Sequence, residues 1–200
     1  GAPVEAAIDR SGNLLQVRAT VAPGSYLLHL AEPRRSVIFT WDTSGSVSSY
    51  AYAIAQSLFT FAQDVNPELE MINLIPFGEP KGPLLMEDWS GDRNAILYAL
   101  NNYTGGDASS NAEGNLLAAV NELGARAGTR AIVLLTDAES NGYPLAPELW
   151  QRLGEVQPRI FAYEVSSSGS DYAQDMMQDW ADVNAGQYGA WANVGEMETA

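Results

Sequence analysis

Two near-continuous apolar runs, SVIFTW at 36–41 and AIVLLT at 131–136, have the pattern of strands buried on both faces. Between them the spacing changes. Tyr50, Ile54, Leu58 and Phe61 fall on one stripe, which predicts a helix over 47–62 that Asn66-Pro67 brings to an end. Comparable spacing predicts helices over 92–101, 112–127, 147–156 and 172–183, and further strands over 69–77, 159–165 and 187–192. Gly82-Pro83 is poorly suited to a central strand, so 80–87 reads as an edge hairpin. Upstream, 4–30 alternates in short stretches broken at Ser11-Gly12-Asn13 and Pro23-Gly24, the pattern of two or three short antiparallel strands.

The regular alternation of strands and helices from 35 onward implies a three-layer α/β fold, a mostly parallel central sheet with helices on both faces. The organisation expected is an N-terminal β extension over 1–34 and one α/β domain over 35–200. Ligands of such sheets bind at the carboxyl ends of the strands. Asp42 and Asp137 directly follow the two most apolar strands and are therefore placed to project into that site.

Composition narrows the chemistry. With 46% hydrophobic residues in 200, the chain can bury one substantial core. No apolar run reaches the ~20 residues of a membrane-spanning helix, and no signal-peptide pattern is present. The Gly1-Ala2 start is what a processed or excised piece would have. Twenty-five acidic residues against ten basic ones give a net charge of −15, which repels nucleic acid and anionic lipid alike. The absence of cysteine excludes disulfides, zinc–thiolate sites and cysteine nucleophiles. His29 is the single histidine and no Gly-x-Ser-x-Gly motif accompanies it, so it reads as a strand residue. Trp89, Trp150, Trp180 and Trp191 occur singly at element edges and read as packing residues, and Glu87-Asp88 as a solvated loop.

Asp42-Thr43-Ser44-Gly45-Ser46 puts a carboxylate and two hydroxyls at alternate positions of one turn, so three hard oxygens can converge above the strand end. The competing reading is a helix N-cap, because Asp and Ser accept hydrogen bonds from free amides at helix starts. That reading leaves Asp137 unexplained. For Ser110, capping and ligation stand level.

The stretch VIFTWDTSGSV at 37–47 resembles the first strand and metal loop of von Willebrand factor type A (vWA) domains. GGDASSNAEG at 105–114 is similar to, but longer than, the family's Gly-Gly-Thr loop, with Ser110 best fitting the threonine position and Thr104 and Ser109 as alternatives. IVLLTD at 132–137 resembles the strand that delivers the second aspartate, and ADVNAGQYGAWA at 181–192 the closing helix and strand. Two departures are Ala138-Glu139 after Asp137, where many relatives have glycine, and Glu164, which stands where relatives often have a small residue. Glu164 reads as solvent-facing in preference to a supporting acceptor.

The resemblance implies a metal-ion-dependent adhesion site. In it Asp42, Ser44, Ser46, Ser110 and Asp137 surround one Mg²⁺ or Mn²⁺, with Ca²⁺ a further candidate, and a partner's carboxylate completes the shell. It also implies a non-enzymatic protein-binding module, exported or at the cell surface; nine Arg against one Lys add the expectation of a bacterial source, and the Gly1-Ala2 start that of flanking domains in a larger protein. Two other functions compete. One is an accessory subunit of an intracellular ATPase or metal-chelatase assembly, whose nucleotide chemistry would belong to a partner because no phosphate-binding Gly-x-x-x-x-Gly-Lys loop occurs here. The other is a metal-dependent hydrolase with Glu139 or Glu164 as base.

Overall fold

Side chains alternate across a strand, so a run of apolar residues feeds two cores at once. The computed structural model describes residues 7–11, 14–18, 34–79, 81–104, 110–137, 147–165 and 171–190. The chain divides into two compact units, Gly1–Ala31 and Glu32–Ala200. In the first, β1 (Ala7–Ser11) and β2 (Leu14–Arg18) pair antiparallel, with Ala7 opposite Arg18 and Ser11 opposite Leu14. The stretch in which a third strand was open, His29 included, lies outside the described residues.

The second unit runs β3 (Arg35–Trp41), α1 (Ala51–Asp64), β4 (Glu70–Pro76), α2 (Arg93–Asn102), α3 (Ala112–Gly124), β5 (Thr129–Thr136), α4 (Pro147–Val156), β6 (Arg159–Glu164), α5 (Asp171–Asp182) and β7 (Gln187–Ala190). The strands form one sheet in the order β4-β3-β5-β6-β7, every neighbouring pair parallel. Ile38, Ile132, Leu134, Ile160 and Ala162 face a core closed by α3, α4 and α5. Val37, Phe39, Trp41, Ile72 and Leu74 face a second core closed by α1 and α2. This is the expected three-layer α/β architecture, with helices covering both faces. Among the described residues no helix is long and apolar enough to cross a membrane.

The connections out of β3 set the position of the site. From β3 the chain goes through α1 to β4 on one side, then back through α2 and α3 to β5 on the other. Strands β3 and β5 are thus neighbours whose connections diverge, and the crevice at their carboxyl ends is where such sheets take ligands.

Two local readings are corrected. The helix predicted from residue 47 begins at Ala51, after a single 3-10 turn at Ser48–Tyr50. The edge hairpin predicted over 80–87 does not form among the described residues. Leu85 N–H donates to Leu74 O (2.9 Å) and Ser90 bridges Ile72, but the backbone between is engaged elsewhere. Asn115 of α3, fully buried, accepts from Gly78 N–H (3.2 Å) and Gly82 N–H (2.6 Å), and its amide donates to Gly78 O (3.1 Å) and Asn111 O (2.7 Å). Gly82 lies so close to β4 that a Cβ there would sit 1.6 Å from Pro76 O, so only glycine fits.

Trp180 of α5 is the largest fully buried side chain in the first core, and its indole Nε1 has no hydrogen-bond partner among the described residues. Truncation to phenylalanine therefore removes volume without orphaning a partner. Trp180→Phe is expected to cost less than ~2 kcal/mol and Trp180→Ala ~3–5 kcal/mol, compared by urea midpoints. Equal losses in the two variants would contradict this account.

Candidate metal centre

The ladder of β3 continues one residue past Trp41. Asp42 N–H donates to Leu135 O (2.7 Å) and Phe77 N–H to Trp41 O (2.8 Å), which holds Asp42 against the end of β5. Asp42 is only 2% exposed and Asp137, which follows β5, is 0% exposed. Oδ1 of Asp42 accepts from Ser44 N–H (2.8 Å), folding the chain into a tight turn, and Oδ2 accepts from the Thr136 hydroxyl (2.7 Å). Ser44 Oγ and Ser46 Oγ lie 2.9 Å apart, Ser44 buried and Ser46 exposed, so the turn brings its two hydroxyls side by side.

The helix-cap reading of these residues does not hold. Neither the 3-10 turn nor α1 has a side-chain cap, their N-cap positions being Val47 and Tyr50. At α3 the cap is Asn111, whose Oδ1 accepts from Gly114 N–H (2.9 Å), and not Ser110. Ser110 is nonetheless buried. Because α3 leads within a few residues into the start of β5, its N-terminus stands at the carboxyl edge of the sheet, the edge that carries Asp42 and Asp137. Of the alternatives to Ser110, Thr104 is exposed, and Ser109 lies outside the described residues, as does Glu139.

Burial raises the Asp42 carboxyl above its ordinary range, and the nearby charge of Asp137 raises it further, against the lowering effect of the Ser44 and Thr136 hydrogen bonds. The pair thus concentrates negative charge in a place where water cannot disperse it. Among the described residues no three His, Cys, Asp or Glu side chains converge as metal ligands. Two carboxylates with flanking hydroxyls are an all-oxygen donor set, which fits a small hard cation that keeps several waters better than a calcium cage.

Glu164 is not solvent-facing, contrary to the sequence reading. It ends β6 opposite Thr136, is 1% exposed, and accepts from the Tyr188 hydroxyl (2.7 Å) and Gln174 Nε2 (3.3 Å). Burial and the bond to that carboxylate push the Tyr188 phenol well above its usual range. Glu164 ties β6 to α5 and β7.

No protein-family model and no curated protein matches the chain. Solved structures do. Proximal thread matrix protein 1 from the mussel byssus aligns at 15% identity and TM-score 0.65, covering 84% of this chain and 44% of that one. The pilus adhesin SpaC from Lactobacillus rhamnosus GG, in its open conformation, aligns at 13% identity and TM-score 0.65, covering 98% and 32%. The ArnB paralog VWA2 from Sulfolobus acidocaldarius aligns at 19% identity and TM-score 0.59, covering 99% and 53%. The chain therefore spans about half or less of each of these proteins, and identities this low speak for fold alone. With a parallel sheet of five strands among the described residues, helices on both faces and likeness to these structures, the chain has the von Willebrand factor type A fold.

Proposed function

We propose that the chain is a non-enzymatic binding module that holds one Mg²⁺ or Mn²⁺ and engages an acidic group of a protein or surface ligand through it. The observation that supports this most directly is the placing of two buried carboxylates, Asp42 and Asp137, after the ends of adjacent strands, near enough for the charge of Asp137 to act on Asp42, with the paired hydroxyls of Ser44 and Ser46 in the turn that Asp42 opens. Asp42, Ser44, Ser46, Ser110 and Asp137 would hold the ion, and Thr136 would orient Asp42 through its 2.7 Å hydrogen bond. A divalent ion so held is neutralised by two carboxylates yet keeps exchangeable positions that can accept a partner's carboxylate. On a chain of net charge −15 such an ion is the feature that attracts an anion. One structural neighbour is a pilus adhesin, which agrees with a surface or exported location within a larger protein.

Calorimetric titration of Mg²⁺, Mn²⁺ and Ca²⁺ into chelator-treated protein tests the reading. Saturable binding at one site is expected, Mg²⁺ and Mn²⁺ ahead of Ca²⁺, and lost in Asp137→Ala. Silence of the parent protein towards all three ions would overturn it.

A further inference from the structure

A pocket of ≈ 310 Å³ opens beside the donor turn and shares Asp42 with it. Apart from Thr43, its other walls are apolar or aromatic: Trp41 from β3, Ile54, Leu58 and Phe59 from α1, and Tyr103 just past α2. The space has a sequence cause. Ala51 and Ala55 both line it, and residues four apart share one face of a helix, so two alanines leave α1 hollow where it faces the end of α2. Trp41 and Tyr103 meet edge-to-face with ring centroids 5.7 Å apart, which gives one wall an aromatic surface.

From this we infer that the partner's acidic residue is flanked by a large apolar side chain, aromatic or aliphatic, which fills this pocket while the carboxylate meets the cation. The inference rests on the proposed cation site and names the partner more closely. Two observations carry it. Because the pocket and the donor turn share Asp42, a ligand reaching both must carry its carboxylate and its apolar group within a few bonds of each other, as neighbouring residues of a polypeptide do. The second is charge. A chain of net charge −15 repels a partner rich in carboxylates everywhere but at the cation, so an uncharged contact beside the cation adds affinity without adding repulsion, and the pocket's lining is uncharged apart from Asp42.

The test uses small probes on the full chain: propionate and 3-phenylpropionate, which differ by one phenyl group, titrated in saturating Mg²⁺ and again in chelator, with binding followed by amide shifts in NMR spectra. In Mg²⁺ the phenyl compound is expected to bind on the order of ten-fold more tightly, the gain from burying part of a ring. Ala55→Phe, which fills the pocket from within, should erase that preference while leaving Mg²⁺ binding and propionate binding unchanged. Ala51→Phe serves the same purpose if Ala55→Phe does not fold. Equal affinity of the two probes in protein that binds Mg²⁺, or a preference that survives the filled pocket, overturns this inference alone. Failure to bind Mg²⁺ overturns the cation site and the inference with it.

Discussion

In chelator, Asp42→Asn protein should melt at a higher temperature than the parent, and in saturating Mg²⁺ the order should reverse. The parent buries the Asp42 carboxylate at 2% exposure within reach of the Asp137 charge. An amide of the same shape removes that repulsion and keeps the contacts to Ser44 N–H and Thr136. Its oxygen can accept from Ser44 N–H, and its NH₂ can donate to the Thr136 hydroxyl, which rotates to accept. The metal arm has the opposite sign. A ligand at a hundred times its dissociation constant adds ~2.7 kcal/mol, or ~5–10 °C for a unit of this size. The variant, lacking one of two anionic donors, should forfeit most of that gain. Parallel melting curves for the two proteins, with and without Mg²⁺, would show that Asp42 carries no cation-linked strain.

The same group fixes the direction of the pH response without metal. Asp42 holds its proton more tightly when folded than in the unfolded chain, where aspartates titrate near 3.8. The folded state thus binds more protons above that pH, and its stability falls as pH rises until the folded carboxyl has ionised. Subtracting the Asp42→Asn profile from the parent's, both in chelator, should isolate this fall; a difference that rises with pH would reverse the assignment.

The layers of the fold and the two aspartates were legible because burial on both faces leaves an unmistakable signature in 36–41 and 131–136, and because strand ends in such sheets point at the ligand crevice. What stayed hidden depended on contacts distant in sequence. Thr136 reads as the last residue of an apolar strand, and only the pairing of β5 with β3 brings its hydroxyl to Asp42, 94 positions away. Glu164 is charged and ends a strand, which suggests solvent, until Tyr188 and Gln174 close over it. The hairpin over 80–87 failed for a related reason. Its turn residues were read correctly as unfit for a central strand, but the amides of Gly78 and Gly82 bond to a helix side chain that no local pattern announces.

That side chain, Asn115, is the second residue on which a large effect should fall. Asn115→Ala is expected to lower stability by ~3–5 kcal/mol, because it strands buried donors and acceptors on both sides of the loop after β4. An ordinary helix cap sets the scale. The Asp92 side chain accepts from Asn94 N–H (2.9 Å) at the exposed start of α2, and Asp92→Ala should cost about 1 kcal/mol. The Asn115 effect should also reach the strand-end edge where the cation is proposed to sit, since one of its bonds goes to Asn111, the cap that follows Ser110 at the head of α3. Urea midpoints measure the first effect, and Mg²⁺ affinity of the still-folded variant measures the second. If Asn115→Ala costs no more than Asp92→Ala, the loop does not depend on this clamp; if it costs several times more with Mg²⁺ affinity weakened, α3 is the element through which the loop after β4 and the strand-end site are held in one geometry.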